Sequence, residues 1–232
     1  MLPRLANEGN IILSISTLRR IARRLGYRWK RCRRSLQAQR DLLAFAACQQ
    51  QLRSLHQAEA HGEVAVYYGD ECRFSRQAPV PYAWQRRGQP AVELPAVRGR
   101  GGCSVLGFWQ AGVGGQPVTA YQRAGSFTAD LFALAVNDFS LTLTGPTVLV
   151  LDNASIHKAQ LVQAQQPVWA ERGLTLLFLP AYSPELNRIE MLWHRCKHYW
   201  IKPEHYRDED TLFTRVEHVL NHVGKTYTVT FA

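Results

Sequence analysis

Three acidic residues sit where carboxylates can do chemistry: Asp70 in VAVYYGDE, Asp152 in TVLVLDN and Glu190 in LNRIEMLW. The two aspartates end apolar runs, and Glu190 begins a new apolar-periodic segment between Ile189 and Met191. A set of three carboxylates suits a hard, octahedral cation such as Mg²⁺, which takes oxygen ligands and keeps several waters. Two such ions about 3.5–4 Å apart clamp the attacking and leaving oxygens of an in-line phosphoryl displacement. Without a cation, three packed acids repel and raise one another's pKa. Each acid also has an ordinary explanation. Asp commonly ends strands by turn chemistry. Asn187 with Glu190 three residues on forms a capping-box pattern, and a first-turn acid suits the helix dipole. From these residues alone the cap and the metal ligand both stand.

For the acids to meet, the elements carrying them must converge. Residues 64–71, 147–153 and 174–180 read as strands, the last two as all-apolar runs expected where both sheet faces are covered. CSVLGFWQ (103–110) and QPVTAYQR (116–123) around AGVGG read as a hairpin. Helices are predicted over 126–139 with Ser126 as cap, over ASIHKAQLVQAQQ, and from about 184 to 200. Antiparallel strands come first and parallel crossovers later, so the spacing predicts a mixed α/β sheet with helices on its faces. If the strands of Asp70 and Asp152 are parallel neighbours, both acids reach one sheet edge. The 37 residues between Asp152 and Glu190 accommodate one helix, one strand and one loop.

The basic charge is unevenly placed. Residues 1–40 carry eleven basic residues against the single acid Glu8, while the remaining 192 balance at seventeen of each sign. A solvated basic face is the bland reading. A segment holding the whole excess, with Tyr27 and Trp29 inside it, points to a polyanion such as nucleic acid. STLRRIARRLG (16–26) reads as a helix capped by Ser16 or Thr17, with Leu18, Ile21, Ala22 and Leu25 as its stripe and Arg19, Arg20, Arg23 and Arg24 opposite. YRWKRCRRS continues it with Lys30, Arg31, Arg33 and Arg34. One stripe cannot be buried alone, so this segment reads as the last helix of a partial helix-turn-helix, residues 1–35. Residues 36–62 read as a linker helix ended by Gly62, and 63–232 as the main domain.

The five cysteines are scattered and never in CxxC spacing, which argues against disulfides and a cysteine zinc site and for a reducing cytosol. No apolar run approaches the ~20 residues that span a bilayer, and no signal peptide is read. His194 with His198, and His218 with His222, have the i,i+4 spacing of zinc ligands but read as helix faces for want of a third ligand. Trp84, beside Arg86 and Arg87, suits either the core or a base-stacking platform, the arginines favouring DNA. Asn153 reads as a helix cap with His157 packed beside the site, and Glu71 as facing away from Asp70.

GDECRF (69–74), YAWQRRGQ (82–89), VLVLDNASIHKA (148–159) and LPAYSPELNRIEMLWHRCKH (179–198) together resemble the DDE transposases of bacterial insertion sequences in the mariner-like superfamily. The resemblance covers about residues 64–200, and the basic helix resembles the end of that family's DNA-binding region. It implies a ribonuclease H-like core, Asp70, Asp152 and Glu190 as the metal-binding triad for two Mg²⁺ (Mn²⁺ substituting), and Asn153, His157 and Asn187 behind them. It further implies cleavage and strand transfer at element ends, target sites at TA dinucleotides, double-stranded DNA as partner, a homodimer, and the cytoplasm of a bacterium. Arg188 stands where the family pattern carries Pro. Relatives also have a longer helix-turn-helix, which keeps open a truncated DNA-binding remnant without catalysis, or a simple nuclease.

Overall fold

In the computed structural model, residues 14–28, 37–79, 87–88, 93, 101–111 and 117–230 are described below. The chain forms two compact units, residues 1–36 and 37–232.

In the first unit, α1 spans Ile15–Arg24. Its cap is Ser14, whose hydroxyl accepts from the Thr17 amide at 3.1 Å, so the helix starts before the Ser16 or Thr17 of the sequence reading. The helix ends where Gly26 takes φ +82°, letting the Tyr27 amide reach back to the Ala22 carbonyl. Arg23 and Arg24 lie in the last turn, where cations complement the helix dipole. None of its residues is buried, and Leu25 is 69% exposed.

The second unit opens with α2, Leu42–Ala60, capped by Asp41, whose carboxylate accepts from the Leu43 and Ala44 amides. The strands are β1 (Ala65–Ser75), β2 (Gly102–Trp109), β3 (Val118–Ala124), β4 (Thr147–Leu151) and β5 (Leu174–Phe178). The remaining helices are α3 (Ala129–Leu141), α4 (Gln160–Glu171), α5 (Ile189–Arg195) and α6 (Glu209–Asn221). Sheet order is β3-β2-β1-β4-β5, with β1, β2 and β3 antiparallel and β1, β4 and β5 parallel. This is the mixed sheet that the hairpin and the apolar runs predict.

Strand alternation divides the core into two layers. Val66, Tyr68, Cys72 and Phe74 of β1 join Ile189, Leu192 and Trp193 of α5 and the apolar face of α6. Tyr67 on the same strand faces the other way, toward Phe132 and Phe139 of α3 and Val162 and Trp169 of α4. All eight residues of β2 are buried, because both layers cover it.

Several local expectations shift. The helix expected within 36–62 is present as α2, and it packs into the core of the second unit. Cys48 and Leu52 of α2 are in the core, and Glu59 near its end accepts from the Val66 amide and the Gln110 side chain. Thr128, not Ser126, caps α3. The segment after Asp152 is a 3₁₀ turn, Ser155–Lys158, before α4 begins. The continuous helix expected over 184–200 is three pieces: a 3₁₀ turn Pro184–Leu186, α5, and a π-helical turn Cys196–Trp200.

Candidate active site

The parallel pairing of β1 with β4 sets Gly69 opposite Leu151. Asp70 and Asp152 are each the next residue along, so they emerge side by side where adjacent strands lie about 4.8 Å apart. Gly69 leaves room for the Leu151 side chain, since a Cβ there would come 2.7 Å from Leu151 Cδ2.

The third acid arrives from α5. Asp70 pairs across the sheet with Gly107 of β2, and directly opposed residues share a face. A Cβ on Gly107 would meet Trp193 at 2.7 Å and Ile189 at 3.4 Å, so α5 lies against that face. Glu190, in the first turn of α5, is therefore on the Asp70 side of the sheet. Three side-chain tethers fix the start of α5. Asn187 is buried and donates through Nδ2 to the Gly69 carbonyl at 3.2 Å, immediately before Asp70. Arg188 donates to the Ala111 carbonyl, two residues past the end of β2. Arg40 donates to the Tyr182 carbonyl and pairs with Glu185, holding a loop in which Tyr182 has φ +59°.

Electrostatics record the convergence. Burial, then the charges of Glu190, Glu71 and Asp152, push the Asp70 carboxyl up to about 8. Partial desolvation raises Glu190, with the Lys197 ammonium opposing and the Asp152 charge adding to the rise. Asp152 goes the other way, lowered first by its bond from His157 and also by the Ala154 amide. His157 is fully buried. Its desolvation favours loss of the proton, but the bonds to Asp152 and Glu71 prevail and raise it to about 9.

Hard oxygen donors with excess negative charge fit a divalent cation. Among the described residues, no three His, Cys, Asp or Glu side chains close around one point at coordinating distance. A two-ion arrangement does not require that, because Mg²⁺ is commonly held by one or two carboxylates and completes its shell with water and phosphate.

The residues predicted to support the triad fare unequally. His157 contacts Asp152 directly. Asn187 does not cap α5: its backbone carbonyl accepts from the Glu190 amide while its side chain goes to β1. Asn153 is exposed and caps nothing, since the turn after Asp152 is closed by the Asp152 carboxylate itself. Glu71 faces away from Asp70 and binds His157. Arg19, Arg20, Arg23 and Arg24 line an open groove of about 590 Å³ with Ser16 on α1. Arg87 is exposed in a turn before Gly88, whereas Lys30, Arg31, Arg33, Arg34, Trp84 and Arg86 lie outside the described residues. His194 stacks on His198 and His218 on His222, with no third metal ligand among the described residues. Sequence reasoning missed Lys197 and Arg40. Lys197 is seven residues past Glu190, two helical turns along one face, and was legible; the contact between Arg40 and Tyr182 spans 142 positions and was not.

Residues 65–213 match the family model of the DDE superfamily endonucleases. The chain belongs to this family. All three acids lie inside the DDE endonuclease match. An uncharacterized protein of Sinorhizobium fredii, y4pE/y4sA, is 33% identical over 67 residues, 29% of this chain and 45% of that relative, so the chain spans less than half of the curated relative it matches. Among solved structures, a pre-cleavage Mos1 transpososome is similar at TM-score 0.63 and 15% identity, covering 95% of this chain and 67% of that one. The Mos1 strand transfer complex is similar at TM-score 0.60 and 15% identity, covering 96% and 71%. These likenesses show a ribonuclease H-like fold for this DDE endonuclease.

Proposed function

We propose that this DDE endonuclease is a transposase that cuts DNA at the ends of an insertion sequence and joins the freed 3′-hydroxyl to target DNA. The observation that carries the reading is the side-by-side emergence of Asp70 and Asp152 with the Glu190 helix tied to Gly69. Asp70, Asp152 and Glu190 would hold two Mg²⁺ ions, with Mn²⁺ as substitute; one Mos1 paired-end complex similar to this chain is described as containing Mn and another as containing Mg. When bound, such ions supply Lewis acidity to the attacking and leaving oxygens. The protein's own part is to hold three carboxylates in place. Asn187 positions Glu190 relative to Asp70, and His157 orients Asp152.

Double-stranded DNA is the partner. Arg19, Arg20, Arg23 and Arg24 on one helix, with Lys30, Arg31, Arg33 and Arg34 following and Arg86 and Arg87 in the second unit, supply the cations to track phosphates. The paired-end description of a similar Mos1 complex supports a dimer that brings two ends together, with 1–35 as the DNA-binding segment and 63–232 as the catalytic domain.

The test is incubation of the full chain with duplexes carrying the element's own flanking repeats and a labelled target, in Mg²⁺ or Mn²⁺. Wild type gives metal-dependent nicks and joined product, and Asp152→Ala falls to background. Binding without cutting by wild type identifies a DNA-binding remnant instead; cutting without joining identifies a plain nuclease.

A further inference from the structure

Consecutive residues of β1 point to opposite faces, and both end in carboxylates. Asp70 takes the α5 side. Glu71 takes the other, where its Oε1 lies 3.1 Å from His157 Nε2. The second ring nitrogen of His157, Nδ1, lies 2.8 Å from Asp152 Oδ1. The imidazole is fully buried, its ring centroid 4.5 Å from that of Phe132 of α3 with the two planes tilted by 40°. Both bonds that Asp152 accepts, from His157 and from the Ala154 amide, end on Oδ1. Its Oδ2 has no such partner among the described residues. The Asp152 side chain remains 49% exposed while the imidazole behind it is sealed.

We propose that Glu71 is a positioning residue. Through His157 it fixes the rotamer of Asp152, so that β1 supplies one carboxylate directly and orients its partner on β4 from the opposite face of the sheet. A carboxylate on one nitrogen of a histidine fixes the ring's orientation and so aims the other nitrogen, as it does for metal-ligating histidines; here the aimed nitrogen holds a carboxylate instead of an ion. The tilted contact with Phe132 limits where the ring sits, but an apolar contact cannot choose which way a nitrogen points. Glu71 supplies that choice. The inference rests on the metal-binding reading of Asp152, and it makes Glu71 part of the site without touching substrate or ion.

Glu71 is suited to mutation, because its side chain is 23% exposed. The experiment titrates the full-length protein with Mn²⁺ and reads free Mn²⁺ by electron paramagnetic resonance, without DNA. Glu71→Ala is expected to weaken Mn²⁺ binding by about ten- to a hundredfold, the usual cost of losing such an outer partner. Glu71→Gln keeps an oxygen to accept from Nε2 and is expected to stay within about threefold of wild type, below that range. Asp208→Ala, which removes the cap of α6 and the pairing with Arg207, serves as a control for general destabilisation. If Glu71→Ala binds Mn²⁺ like wild type, or loses no more than Asp208→Ala, the proposal is overturned. Asp152→Ala separates the two layers of the argument. If it too leaves Mn²⁺ binding unchanged, the metal reading itself has failed; if it abolishes binding while Glu71→Ala does not, only the role of Glu71 is lost.

Discussion

Asp70 is held protonated into the alkaline range by burial and by its acidic neighbours, with a pKa raised from 3.8 to about 8. An acid whose folded pKa exceeds its unfolded one binds more protons when folded. Its contribution to stability therefore falls as pH rises from the unfolded value through the folded one. In metal-free protein, Asp70→Asn should be nearly silent below about pH 3, where the carboxyl is neutral in the folded and the unfolded chain, and stabilising at about pH 8, by about 1–2 kcal/mol in chemical denaturation with a chelator present. Added Mg²⁺ should raise the melting temperature of wild type at the higher pH and leave the variant unmoved. A variant no more stable than wild type at alkaline pH would mean that the acids do not crowd one another. A group that costs stability in the absence of a ligand is what a binding site trades for function. A capping Glu190 would be quiet, whereas this one adds to the charge that holds the Asp70 proton.

At the scale of elements, the start of α5 is set by long-range tethers more than by local capping. Asn187→Ala removes the bond to Gly69 and leaves α5 to settle on apolar packing alone. Turnover should drop by about a hundredfold, since misplacing a group by about 1 Å is enough for that, while circular dichroism stays near wild type. Unchanged turnover would show that packing of Ile189 and Trp193 suffices. The same helix shows what a sequence discloses. VLVL and LLFL were legible as buried strands because a strand covered on both faces has no polar side to alternate. The parallel pairing that gives the two aspartates a shared edge stood in the sequence only as a condition, because strand neighbours are chosen by long-range pairing; the structure meets it. The capping box at Asn187 had the right residues at the right spacing, but the buried Gly69 carbonyl took the amide instead. The pairing of Glu71 with His157 joins residues 86 positions apart and leaves no periodic trace. The cap of α3 slipped from Ser126 to Thr128 because either hydroxyl satisfies the same local pattern.

For the whole molecule, the charge excess lies in the first forty residues, and α1 carries four of those arginines on an exposed helix. Replacing Arg19, Arg20, Arg23 and Arg24 together with Ala should weaken DNA binding at every sequence tested. It should also flatten the plot of log affinity against log salt by about 0.9 for each phosphate that is no longer neutralised. The Mn²⁺ affinity of the acids should not change. A salt slope equal to that of wild type would assign phosphate binding to other residues. In the second unit, β1 touches both helical layers, so each of its positions has a fixed side. Deleting any one residue between 65 and 69 would make the two neighbouring acids trade sides, glutamate toward α5 and aspartate toward the imidazole. The chain would keep its full complement of carboxylates and lose their arrangement, a frame error written in three dimensions.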